Sequence, residues 1–188
     1  STDSAPANPP PGDWRLLKAE LRACAAYVNT LVGPGILGEG ERDALLRALK
    51  QIEDELGRGA FKPEGDDPFS ALDSRLLEID AGAAAKLNAA RSRNEQTVTA
   101  LRLWLLEELE TIGGSLADVQ RALIQQAESQ VAALMPGYTH MQPAGVVSAS
   151  HWLMSFFWML ARDQDRLAGV IGRTSISPMG SGALAGIP

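Results

Sequence analysis

Eleven apolar residues, Val98, Leu101, Leu105, Leu109, Ile112, Leu116, Val119, Leu123, Ala127, Val131 and Leu134, follow one another at intervals of 3 or 4 without a break. Only an α-helix puts such a series on one face, so the spacing predicts a helix over 98–134. At 1.5 Å per residue it makes a rod of roughly 55 Å, with a bend allowed at Gly113-Gly114, where two glycines weaken it. A rod of that length needs partners of equal length. A second candidate, from about Ala144 to Arg173, is apolar nearly all round at Trp152, Phe156, Phe157 and Trp158, which predicts burial on every side. His151, in that helix, reads as a core histidine. Two helices cannot cover so much apolar surface between them, so further helices of a longer parent chain, other subunits, or both are expected.

The amino-terminal half is also helical in pattern. Apolar spacing gives helices over 13–32, 41–56 and 69–80, the first ended by Gly33-Pro34-Gly35 and the second by Gly57 and Gly59, with a loop over 57–68. No alternating strand pattern and no parallel-sheet signature stand out, and the fold class is all-α. Residues 1–12, with four prolines, read as a disordered tail. The expected organisation is that tail, a small helical domain over 13–90, and the first long helices of an incomplete helical bundle over 91–188.

With 45% apolar and 21% charged residues, the 188-residue chain can bury a sizeable core. Its net charge of -6 argues against a role driven by attraction to nucleic acid or to an anionic membrane surface. The ten positions from Trp152 to Ala161 are the densest apolar run, too short to span a bilayer. One cysteine, Cys24, makes no intramolecular disulfide, and the expected compartment is the reducing cytosol.

Polar islands flank the long helix. In KLNAARSRNEQ (86–96), Lys86, Arg91 and Arg93 fall within eight residues free of acids, and Ser92, Arg93 and Asn94 directly precede the helical run. Backbone N–H groups at a helix start favour an anion, and an arginine holds a carboxylate by two parallel hydrogen bonds. The plainer reading of Ser92 or Asn94 is a helix cap. In MPGYTHMQPA (135–144), Thr139, His140 and Gln142 put a hydroxyl, an imidazole and an amide on a turn between two prolines, a set able to bind carboxylate and relay protons. A lone loop histidine is more often merely solvated.

RSRNEQ at 91–96, MPGYTHMQPA at 135–144 and SPMGSGALAG at 177–186, in this order and spacing, resemble the argininosuccinate lyases of the fumarase/aspartase superfamily. The resemblance spans about residues 13–186 and is dense in those three blocks. It implies reversible elimination of fumarate from argininosuccinate, releasing arginine, in a homotetramer whose sites draw segments from three subunits, without metal or organic cofactor. Carried over by motif, Ser92, Arg93, Asn94, Thr139 and Gln142 bind substrate and His140 assists proton transfer.

The chain departs from the family pattern where KLHTGRSRND is usual. Asn88 and Ala89 replace histidine and threonine, Glu95 replaces aspartate, Phe69 stands for another histidine, and Glu20, Cys24 and Ala26 stand where aspartate, serine and histidine are usual. The sequence also ends at Pro188, before the loop that supplies the family's catalytic serine, so the 188 residues alone are expected to be inactive. Two other readings stay open: a non-catalytic assembly protein related to crystallins, and a lyase for another succinyl adduct.

Overall fold

The computed structural model describes residues 13–61, 67–88, 91–184 and 186. The expected tail over 1–12, most of the second half of the 57–68 loop, and Ala89 lie outside the described residues. Those described contain six α-helices and one two-stranded hairpin, in two compact units: residues up to Trp104 with those from Ser177 on, and Leu105–Ile176. Among them, no helix is long and apolar enough to cross a membrane.

In the first unit, a 3-10 turn at Trp14–Leu16 leads into α1 (Leu17–Thr30), followed by α2 (Glu39–Gly57), α3 (Pro68–Ile79), α4 (Ala81–Leu87) and the first turns of α5 (Arg93–Ser129). Each start has a local cause. Glu41 reaches back to accept from the Gly38 N–H at 2.9 Å, and its other oxygen takes the Lys86 ammonium at 2.6 Å, tying the start of α2 to α4. The Asp67 carboxylate caps α3 by accepting from the Phe69 and Ser70 N–H groups, both at 2.9 Å, with Pro68 in the first turn, where its missing N–H costs nothing. Asp80 caps α4 through the Ala83 N–H at 3.0 Å. Tyr27, Val28, Leu31, Leu45, Ile52, Leu72, Leu76 and Leu87 are buried together, so the apolar faces of α1 to α4 close on one core.

Helix α4 runs into the polar island at 86–96 and is not among the helices expected from the apolar spacing. Its sequence AGAAAKL offers almost no apolar contrast to show a period, and its helix is set instead by the Asp80 cap and by burial of Ala83, Ala84 and Leu87.

The second unit holds the remainder of α5, β1 (Leu134–Thr139), β2 (Gln142–Ser148) and α6 (Ala149–Thr174). Helix α5 runs through Gly113-Gly114. A Cβ added to Gly113 would come 3.3 Å from the Leu167 side chain, so this glycine lets α6 approach closely. The Gln164 amide donates to the Gly113 carbonyl at 3.4 Å and to the Gln120 side chain at 3.2 Å, while Gln120 donates to the Phe157 carbonyl at 3.5 Å; these pairings run α6 antiparallel to α5.

The elements differ from the sequence expectations in three places. The helix expected to reach Leu134 ends at Ser129, and Leu134 opens an antiparallel strand. The segment read as an irregular turn is a hairpin pairing Leu134 with Ser148 and Thr139 with Gln142, with an irregularity at Gly137/Tyr138. Its two turn residues, His140 and Met141, have φ of 51° and 61°, the left-handed pair that a tight hairpin turn demands, without the Asn-Gly signature that usually announces it. Finally, α6 begins at Ala149, capped by Ser148, and no residue in it is buried within this chain. Within this chain Trp152 is 49% exposed, Trp158 60%, and His151 is exposed, which is the surface for which further helices or subunits are expected.

Candidate functional site

The start of α5 is a capping box. The Glu95 N–H donates to the Ser92 hydroxyl at 3.4 Å, and the Glu95 carboxylate accepts from the Ser92 N–H at 2.9 Å. The other Glu95 oxygen accepts from the Gly182 N–H at 2.8 Å and the Ser181 hydroxyl at 3.0 Å. Gly180 and Gly182 have φ of 99° and 61°, so the glycines of SPMGSGALAG allow the turn that presents these donors. Burial pushes the Glu95 carboxyl up, but the donors from Ser92, Gly182 and Ser181 outweigh it and hold the group below the usual carboxylate range.

This contact yields a prediction. A carboxyl whose value is lowered on folding adds stability that is complete above the ordinary value near 4.5 and is lost as pH falls through the lowered one. Glu95→Gln should therefore cost about 1 to 3 kcal/mol at neutral pH, and less as the medium is acidified below pH 4.5. Urea unfolding at pH 7 and pH 3 checks it; an equal loss at both values would contradict the charge-based account.

Behind the capping box lies a buried polar cluster. The Arg91 side chain is 2% exposed, and its Nη1 donates to the Cys24 Sγ at 3.2 Å and lies 3.8 Å from the Glu20 Oε1. Its Nη2 donates to the Asn88 Oδ1 at 2.5 Å and the Asp73 Oδ1 at 3.3 Å, and its guanidinium carbon sits 5.9 Å from the Tyr27 ring centre. Glu20 accepts at Oε1 from the Cys24 thiol at 3.0 Å and from the Gln96 amide, while its buried Oε2 has no partner among the described residues. Burial pushes the Glu20 carboxyl up, against the hydrogen bonds of Cys24 and Gln96, and burial followed by the Glu20 charge pushes the Cys24 thiol well up. Cys24 is thus a neutral packing element rather than a nucleophile.

Of the residues read from the sequence, Ser92, Arg93 and Asn94 sit together at the start of α5, in the first unit. The Ser92 hydroxyl accepts the capping hydrogen bond that the plainer reading expects. Arg93 is 47% exposed, its Nη2 3.3 Å from the Asp73 Oδ2 and its guanidinium carbon 5.5 Å from the Phe69 ring centre. Asn94 is exposed. Thr139, His140 and Gln142 sit together at the hairpin tip in the second unit, all exposed, with Thr139 and Gln142 paired across the strands. Asp73 and the bracing role of Glu95 are not among the residues expected from the sequence. The Ser-x-x-Glu spacing of a capping box was a signal for Glu95; Asp73 had none, because only the fold brings α3 beside Arg91 and Arg93.

The family model described as Lyase matches residues 13–188. The chain is 40% identical over 180 residues to the argininosuccinate lyase of Roseiflexus castenholzii, covering 95% of this chain and 40% of that protein. To the argininosuccinate lyase of Gloeobacter violaceus it is 43% identical over 176 residues, covering 93% and 38%. The chain therefore spans about two-fifths of the length of these curated relatives. Among solved structures, it superposes with a TM-score of 0.79 on EDDS lyase in complex with formate, at 24% identity over 92% of this chain and 34% of that one. A class II fumarase from Schistosoma mansoni also gives 0.79, at 18% identity, covering 94% and 41%. At these identities the two structures establish a shared fold.

Proposed function

Because the chain belongs to the lyase family of the fumarase/aspartase superfamily, we propose that it forms the amino-terminal part of an argininosuccinate lyase that eliminates fumarate and releases arginine. The observation that carries this reading is the match to argininosuccinate lyases at about 40% identity across nearly the whole chain, and the RSRN and GYTHMQP segments that carry the resemblance support it. The reaction removes a proton from the carbon beside a carboxylate and breaks the neighbouring C–N bond, so negative charge builds on the carboxylate end and must meet fixed donors. Arg93 suits that demand, being partly exposed and braced on one side. In this reading Ser92, Arg93 and Asn94 bind substrate at its carboxylate end, with Ser92 also fixing the helix start that presents them, Thr139 and Gln142 bind substrate, and His140 assists proton transfer.

The site is completed by other chains of a homotetramer, acting in the cytoplasm without metal or organic cofactor. Residues 13–90 form the amino-terminal domain of the whole protein, and 91–188 begin its helical bundle. The large exposed apolar residues of α5 and α6 support assembly. One observation favours a second reading, a lyase for another succinyl adduct: Cys24, Asn88 and Phe69, all departures from the family pattern, each contact Arg91 or Arg93.

Arg93→Ala and Asn94→Ala in the full-length protein test the assignment. Losing a charge-assisted contact to a carboxylate typically costs about 1.5 to 3 kcal/mol, so kcat/KM should fall roughly ten- to a hundredfold or more for Arg93→Ala with little change in Tm. If these residues only shape the helix start, Asn94→Ala lowers stability by about 1 kcal/mol and leaves kinetics unchanged. Steady-state rates and thermal melts on the same variants separate the two.

A further inference from the structure

We propose that Asp73 is a positioning residue, which with Phe69 fixes the Arg93 guanidinium in the orientation that receives a carboxylate; this rests on the lyase reading of Arg93. Phe69 and Asp73 lie one helical turn apart on α3, so both face the same way. Arg93 meets both: its guanidinium carbon is 5.5 Å from the Phe69 ring centre, and its Nη2 is 3.3 Å from the Asp73 Oδ2. A guanidinium held at one nitrogen and over a ring face has little freedom to rotate, and it keeps further N–H groups for a ligand. Asp73 is itself held. Its Oδ1 accepts from Nη2 of Arg91, whose side chain is buried among Cys24, Asn88 and Glu20. The buried arginine thus orients the carboxylate, and the carboxylate orients the half-exposed arginine. Their shared contact with one carboxylate also offsets the repulsion between two cations, which a lone Arg93 beside Arg91 would suffer.

Placement of a binding group ahead of the reaction acts on substrate capture, so Asp73→Asn in the full-length protein should raise KM about tenfold and change kcat by less than about threefold. Asp73→Glu should restore much of the loss. In an Arg93→Ala background, Asp73→Asn should have almost no further kinetic effect, because its target is gone. Phe69→Leu leaves the Arg91 contacts in place and should raise KM in the same sense, which guards against Asp73→Asn acting through stability. Losses that multiply in the double variant would overturn the proposal. A second readout is independent of turnover: in nitrogen-15 NMR, assigned with Arg93→Lys, rotation of the Arg93 guanidinium should be slow and should quicken in Asp73→Asn. Absent activity with a slow, Asp73-dependent Arg93 signal overturns the lyase reading alone, whereas rotation already fast in the unsubstituted protein overturns the positioning role.

Discussion

His140→Asn in the full-length protein should lower kcat by about a hundredfold or more and leave the unfolding midpoint nearly unchanged, since proton-transfer assistance is typically worth that much. The fold should hold for two reasons. His140 is exposed, so its loss removes no packing, and its φ of 51° is one that asparagine adopts with little strain. Asparagine keeps a hydrogen-bonding side chain but cannot shuttle a proton near neutral pH. His140→Val, in contrast, would place a β-branched residue in the left-handed region and confuse turn strain with lost chemistry. A variant with unchanged kcat would remove His140 from the chemistry and leave the hairpin tip a binding element.

The second large effect concerns assembly. The 188-residue chain on its own should be strongly helical and should sediment as associated species, because its second unit exposes Ile112, Val119, Trp152, Phe156, Trp158 and Met159. Burying one large apolar side chain is worth about 1.5 to 3 kcal/mol, so several together offset the entropy lost on association. Trp158→Glu should shift the population toward smaller species by placing a charge at a large, 60% exposed apolar residue of α6. Sedimentation velocity over a concentration series measures both. A concentration-independent monomer would mean that α5 and α6 need no partner beyond this chain.

What the sequence revealed and what it hid follow one physical division. Helix α5 was visible because a long amphipathic helix repeats its signal turn after turn. Its end was overrun because Val131 and Leu134 keep the period after the backbone has left the helix at Ser129. The hairpin escaped because Pro136, Gly137, Pro143 and Gly145 interrupt any alternation, and because His140-Met141 is not a turn sequence that announces itself. Of the candidate residues, RSRN and GYTH are legible as motifs, but their surroundings are not. The pairing of Arg91 with Glu20 and of Asp73 with Arg93 depends on α1 and α3 packing beside the start of α5, a tertiary fact that no local pattern encodes. Glu95 lies between these cases, its capping role written in the Ser-x-x-Glu spacing and its hold on Ser181 and Gly182 visible only after folding.

The most direct measurement is fumarate absorbance after adding argininosuccinate to the full-length protein, with arginine quantified in parallel. The account predicts that fumarate and arginine appear in equal amounts, and that Arg93→Ala reduces the rate at least about tenfold. Absence of fumarate from a folded, assembled protein, or a rate indifferent to Arg93→Ala, would contradict it; fumarate released instead from another aspartate adduct would move the site to the second reading.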